Sequence, residues 1–383
     1  METVYILCAA RTPIGTFSGA LATYPAPKLG AIAIKEAFER SQLKHEDIAE
    51  VIMGNVVSAG IGQAPARQAA IYAGLPSSIG ATTVNKVCGS GLKSIVLGYQ
   101  GIRAGDAKAV IAGGMENMSQ APYLLEKART GYRLGHGQLI DSCIKDGLWD
   151  PHNNIHMGNC AEACAEKYEI SRQQQDDFSI SSYKKAQEAQ AKGYFKDEIV
   201  SVDGITEDEE PKRSNFDKFG KLKPVFKAGG TVTAANSSKL NDGGAALVIA
   251  GESLVKERGL KPVAKILGWA QYAQDPLWFT VAPAGALEAL GKKLGINAKD
   301  FDLIEINEAF AVAGLACMKL LGLNPEKVNV NGGAVALGHP IGVSGARIVV
   351  TLINALKQRN LKRGAATICL GGGEAVALAV EVL

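Results

Sequence analysis

Three residues of this 383-residue chain carry side chains that could supply thiol nucleophiles and a base to activate them, and each sits in a glycine-rich turn. Cys88 lies in Asn85-Lys86-Val87-Cys88-Gly89-Ser90-Gly91-Leu92-Lys93-Ser94. The pattern predicts a strand ending near Val87 and a helix starting near Gly91. A thiol at a helix start feels the positive end of the dipole, which favours the nucleophilic thiolate. The flanking glycines let another backbone or a thioester approach. Taken alone, Cys88 reads equally well as an inert buried thiol. His339, in Gly338-His339-Pro340-Ile341-Gly342-Val343-Ser344-Gly345, is held in a Gly/Pro turn ahead of a helix and could act as base to a thiol. Cys369 ends an apolar strand before Gly371-Gly372-Gly373, where backbone N–H groups are free. Alone, His339 and Cys369 would each pass as structural.

These three residues come from a repeated pattern. Asp47 to Asn55 and Asp302 to Asn307 are both acidic lead-ins to a β-branched run ending in Asn. Each is followed by a Val-Asn pair, Val84-Asn85 and Val330-Asn331. A glycine turn and a helix-period stretch come next, Gly91 to Ile102 and Gly345 to Leu356. Each copy closes on a strand running into glycines, Ala109 to Gly114 and Ala366 to Gly373. Alternating strands and helices, with continuously apolar strands, predict an α/β fold of two similar halves with covered sheets. Between Glu116 and Leu240 charge rises and turn residues appear, with a polar helix from Ser171 to about Lys192 and Ser171 as its N-cap. That stretch reads as an insertion on the first half. The expected division is 1–115 completed by 241–262, an inserted loop domain at 116–240, and 263–383.

Composition excludes other classes. Apolar residues make up 47% and charged residues 21%, with a net charge of +3, which fits a packed core and argues against nucleic acid as a partner. No apolar run is long enough to span a bilayer. The N-terminal segment enters a strand-like run without a basic leader, so a cytoplasmic protein, or a mature form whose leader is absent, is expected. Seven scattered cysteines argue for free thiols and a reducing compartment.

Together these segments resemble the thiolase family. The match runs over essentially the whole chain, through Arg11-Thr12-Pro13-Ile14-Gly15, Gly113-Gly114-Met115-Glu116-Asn117-Met118-Ser119, Asn307-Glu308-Ala309-Phe310-Ala311, Gly338-His339-Pro340 and Cys369-Leu370-Gly371-Gly372-Gly373. The resemblance implies a five-layer αβαβα core with an inserted loop domain. It also implies acetyl-CoA C-acetyltransferase chemistry, in which two acetyl-CoA molecules give acetoacetyl-CoA and CoA. Cys88 would be acylated, His339 would take its proton, and Cys369 would be acid and base at the α-carbon and leaving thiol. Asn307, through a water, would join His339 at one thioester oxygen, and the N–H groups of Cys88 and Gly371 would hold another.

The finer resemblance is to potassium-stimulated, mitochondrial-type acetoacetyl-CoA thiolases, through Asn153 to Gly158, Asp208-Glu209-Glu210, Thr231 to Asn236 and Phe279 to Pro283. It implies CoA contacts at Tyr183, Arg213, Ser214, Asn215, Lys218 and Ser238. His156 and Met157 would line the pocket, and Phe279 would sit by the acyl group, admitting 2-methylacetoacetyl-CoA as well. A potassium ion would be held by Tyr183 and the carbonyls of Ala234, Ala235, Ser237 and Val335. Ser238-Lys239, Gly243-Gly244 and Pro211 depart from the family's usual residues there. No covalent cofactor is implied, CoA thioesters are the substrates, and a homodimer or homotetramer is expected. His152, His156, Cys160 and Cys164 recur every fourth residue, but Pro151 and Asn153-Asn154 predict a loop that breaks the stripe, against a zinc site. Two alternatives stay open: a degradative 3-ketoacyl-CoA thiolase of broader chain length, and a non-catalytic acyl-CoA or lipid binder.

Overall fold

The computed structural model describes residues 2–383. The first half contributes strands β1 (Val4–Arg11), β2 (Ile48–Gly54), β3 (Gly80–Val84), β4 (Ala109–Asn117) and β5 (Asn241–Gly251). Strand β2 runs parallel to β3 and β4, and β5 runs antiparallel to β4 and β1. The second half contributes β6 (Ala264–Ala273), β7 (Leu303–Ile306), β8 (Arg363–Leu370) and β9 (Glu374–Val382). Here β7 runs parallel to β8, and β9 antiparallel to β8 and β6. The pairing scheme is the same in both halves. The counterpart of β3 has shrunk to one bridge between Ile304 and Val328. The halves also join edge to edge, Tyr5 with Lys265 and Ile6 with Ala264, so the strands form one continuous ladder.

Helices cover both faces. Helices α1 (Ala26–Ser41) and α2 (Pro65–Tyr72) pack outside the first sheet. Helix α3 (Ser90–Ala104) lies inside it. The insertion carries α4 (Met157–Lys167) and α5 (Arg172–Ala191). In the second half, α6 (Ala282–Leu294) and α7 (Ala311–Leu321) lie outside, and α8 (Ser344–Gln358) lies inside. Leu92, Ile95 and Val96 of α3 share one apolar core with Ile348, Val349 and Leu352 of α8, between the sheet portions of the two halves. The layer order is therefore helix, sheet, helix, sheet, helix, and strands buried on both faces account for the unbroken apolar runs.

The two inner helices start in direct contact. A Cβ on Gly91 would lie 2.8 Å from the Ala346 nitrogen, and one on Gly345 would lie 2.6 Å from the Leu92 nitrogen. Only glycine allows that approach, and it brings the turn before each helix to one place. Helix α5 begins with the predicted cap: Ser171 Oγ accepts from Gln174 N at 3.2 Å, and Gln174 Oε1 accepts from Ser171 N at 2.8 Å. The insertion is bolted to β1 by Arg11, whose guanidinium meets buried Glu198 and Asp208, each at 2.7 Å.

Candidate active site

The turn that carries Cys88 differs from the sequence expectation. Strand β3 ends at Val84, three residues early, and α3 starts at Ser90. Between them Val87 adopts φ 46, a left-handed conformation that costs a β-branched residue energy. The turn is held by Asn85 Oδ1, which accepts from Val87 N, and by Ser90 Oγ, which accepts from Lys86 N and donates to Val87 O. The turn rests on the end of β8. A Cβ on Gly89 would meet Leu370 at 2.6 Å, and one on Gly371 would meet Val87 at 3.5 Å. Cys369 is therefore in the neighbouring strand end, fully buried.

The expected thiolate does not follow. Burial raises the Cys88 thiol to about 12, although the N–H groups of Gly371 and of Cys88 itself pull the other way. Burial and the nearby Cys88 raise Cys369 well above the ordinary thiol range. Desolvation of a charge outweighs the helix start here. The same two N–H groups at the Cys88 sulfur are donors placed for an oxyanion that forms beside it.

His339 sits in the corresponding turn of the other half. Gly338 before it has φ +103, and a Cβ there would lie 2.5 Å from the Asn241 amide. Asn241 Oδ1 accepts from His339 N at 2.8 Å. His339 Nδ1 lies 2.6 Å from Ser344 Oγ, whose own proton goes to Pro340 O at 3.0 Å. Ser344 therefore accepts, the Nδ1 carries the proton, and Nε2 keeps a free lone pair. Among the described residues no protein atom partners Nε2. Burial, helped by the positive charge of Arg347, lowers His339 to about 3, so the ring is neutral. A neutral imidazole with an open Nε2 is a base ready for a thiol proton.

Asn307 is a second group of the site without a protein partner for its side chain. It is fully buried, and neither Oδ1 nor Nδ2 has a partner among the described residues. Its backbone N donates to Thr367 O at 3.0 Å, fixing it beside β8. Buried polar groups are seldom left orphaned, and those that are point to a ligand or water.

Cys88 and His339 open on one cavity of about 320 Å³. Met118, Ile144, Leu148, Phe226, Phe310 and Ile341 make its apolar wall, with the predicted His156, Met157, Ser238 and Phe279. His156 caps α4, its Nδ1 accepting from Gly158 N at 3.0 Å, and its ring stacks on Phe226 at 4.7 Å. That use of His156, with Cys160 and Cys164 packed in an apolar cluster, breaks the stripe of possible zinc ligands. Phe279 meets Phe310 edge-on. Arg213, Asn215 and Lys218 lie on exposed turns of the insertion rather than in the cavity wall, and Ser214 Oγ accepts from Gln187 at 2.9 Å. Tyr183 is buried against Phe216 and Phe219 of the same turns.

Several contributors went unassigned in the sequence. Ser344 and Asn241 fix the His339 ring and backbone. Glu116 accepts from Asn55 Nδ2, Val56 N, Val57 N and Gly342 N, tying the two halves under the site. Glu116 and Ser344 both lie inside the quoted motifs, so position alone could have flagged them. Phe226 carried no such signal.

Known proteins resemble this chain along its whole length. The thiolase N-terminal domain matches residues 4–253 and the thiolase C-terminal domain matches 260–382. The chain belongs to the thiolase family. It is 53% identical over 388 residues to an acetyl-CoA acetyltransferase of Schizosaccharomyces pombe, covering 99% of this chain and 98% of that protein. It is 49% identical over 391 residues to an acetyl-CoA acetyltransferase of Cupriavidus necator, covering all of both. A crystal structure of the Acat5 thiolase from Ascaris suum in complex with coenzyme A superimposes with a TM-score of 0.96 at 46% identity, over the full length of both. Among the described residues no helix is long and apolar enough to cross a membrane.

The potassium expectation fails a direct test of fit. Two of the carbonyls meant for the ion, Ser237 O and Val335 O, accept from Lys239 Nζ at 2.9 and 3.1 Å. The same Nζ lies 5.2 Å from the centroid of the Tyr183 ring. Burial lowers Lys239 to about 8, while Glu210 and Glu308 hold it up. A potassium ion on those carbonyls would lie against a cation of nearly its own size.

Proposed function

We propose that this thiolase is an acetyl-CoA C-acetyltransferase that joins two acetyl-CoA molecules into acetoacetyl-CoA and CoA through acetyl-Cys88. The observation that carries this reading is the meeting of the Cys88 turn, with two N–H groups at its sulfur, and the open Nε2 of a neutral His339 in one apolar cavity.

In the first half-reaction Cys88 attacks the thioester carbonyl as its proton passes to His339 Nε2. The oxyanion is held by the N–H groups of Cys88 and Gly371. CoA leaves as thiolate and takes a proton from Cys369. The enzyme is then acetylated, with His339 protonated and Cys369 a thiolate. In the second half-reaction Cys369 removes an α-proton from a second acetyl-CoA. His339 Nε2–H and Asn307 face the enolate oxygen, Asn307 through a water. The carbanion attacks acetyl-Cys88, and the departing thiolate recovers the proton from His339. Every proton is returned, and thiolysis is the reverse path.

Arg213, Ser214, Asn215 and Lys218 are proposed to meet the nucleotide end of CoA outside the cavity, where exposed cations suit phosphates; Tyr183, buried against Phe216 and Phe219, supports their turns from behind instead of touching CoA. Residues 116–240 would thus act as the CoA-binding domain on halves 1–115 with 241–262 and 263–383. Potassium has no step in this reaction. A cytoplasmic homodimer or homotetramer remains the proposed setting.

A panel of acetoacetyl-CoA, its 2-methyl analogue and a long-chain 3-ketoacyl-CoA tests this reading. Thiolysis should be fast for acetoacetyl-CoA, present for the 2-methyl compound and poor for the long chain. Preference for the long chain would favour a broad degradative thiolase, and no turnover would favour a binding protein.

A further inference from the structure

Lys239 stands where an apolar or small polar residue would leave a cluster of carbonyls pointing at empty space. Its amine has donors and no acceptor role, and its two hydrogen-bond partners are backbone carbonyls, Ser237 O and Val335 O. Neither is a carboxylate, so this is not an ordinary ion pair. The face of Tyr183 adds a third favourable contact, within the range of cation–π attraction. Glu210 and Glu308 act on it electrostatically. Both carboxylates are already engaged elsewhere, Glu210 with Thr16 and Glu308 with Ser182 and Asn329. Two carbonyls, a ring face and two nearby carboxylates describe a monovalent-cation site, and a side chain of the protein fills it.

The position has a consequence for the reactive centre. Ser237, Ser238 and Lys239 line the cavity that holds Cys88 and His339. The same strap pairs with the segment after Asn307, through Ser238 N to Ala309 O at 3.0 Å. Lys239 reaches Val335, and two residues on, Asn241 Oδ1 holds His339 N at 2.8 Å. Lys239 and Asn241 thus grip both ends of the short segment Val335 to His339.

We propose that Lys239 is a tethered cation, a positioning residue whose ammonium replaces a free potassium ion and locks the cavity strap to the segment that presents His339. The protein therefore needs no potassium, although its fold surrounds the position with potassium-type ligands. The inference rests on the thiolase reading only for its rate measurements.

The test compares wild type, Lys239→Ala and Lys239→Met in potassium, ammonium and choline chloride at equal ionic strength. Wild-type acetoacetyl-CoA thiolysis should be equal in all three salts. Lys239→Ala should fall roughly tenfold or more in choline, the loss expected for charged hydrogen bonds, and recover in potassium or ammonium. Lys239→Met fills the space without a charge, so it should fall and stay low. The Tm of Lys239→Ala should rise with potassium, while wild type should not respond; this readout survives even if the thiolase activity is absent. Wild type stimulated severalfold by potassium would overturn the proposal without any variant. So would a Lys239→Ala protein that is fully active in choline. A rise in KM alone, insensitive to both cations, would instead make Lys239 a direct CoA contact.

Discussion

His339 Nδ1 donates to Ser344 Oγ at 2.6 Å, and the Ser344 hydroxyl uses its own proton on Pro340 O. One serine therefore chooses the tautomer of the histidine and leaves Nε2 open to the cavity. Ser344→Ala removes that choice while keeping the packing of a fully buried small residue. Its kcat should fall by about ten- to a hundredfold, as when the group orienting a functional histidine is lost. Its Tm should stay close to that of wild type. Unchanged kcat would mean that the Ser344 contact does not set the base.

The resting pair of Cys88 and His339 is neutral, because burial raises the thiol to about 12 and lowers the imidazole to about 3. Between those values both groups are mostly neutral in the free protein, and the proton moves when an acyl group arrives. Alkylation of Cys88 by iodoacetamide should then rise about tenfold per pH unit from pH 6 to 9, following the small thiolate fraction. The sign follows from a raised thiol: fewer protons, more nucleophile, with no plateau below about 12. A rate that levels off near neutrality would show a preformed thiolate–imidazolium pair.

Asn307 keeps both ends of its amide unpaired inside the protein. The Asn307 side chain bonds to no described protein residue, so Asn307→Ala breaks no protein contact and should leave Tm close to that of wild type. The same change should lower kcat by about a hundred- to a thousandfold, the usual effect of losing an oxyanion donor. Thermal melts and single-substrate kinetics on one preparation decide the matter. A destabilised but active variant would make Asn307 a structural residue.

Much of this was legible in the chain because it rests on backbone geometry that leaves marks in sequence. The repeat appeared as matched apolar runs and glycines, and the structure repeats the parallel pairing of β2 with β4 in that of β7 with β8. The α5 cap appeared as Ser171 and Gln174. Other features left weaker marks. The edge pairing of Tyr5 with Lys265 depends on how the halves dock, which no local pattern encodes. The state of Cys88 turned on burial, which reversed the helix-start argument. Carbonyl ligands are independent of side-chain identity, so a potassium site could be inferred only by resemblance. Lys239, noted as a departure, could be placed on those carbonyls only by the folded chain.

In the proposed cycle Cys88 carries the acyl group and Cys369 does not. Peptide mass spectrometry after incubation with acetyl-CoA tests it most directly, on wild type, Cys88→Ala and Cys369→Ala. One acetyl group should be found on Cys88 in wild type and in Cys369→Ala, and none in Cys88→Ala, while Cys369→Ala should fail to form acetoacetyl-CoA. An acetyl group on Cys369 in wild type, or acylation that survives Cys88→Ala, would contradict the account.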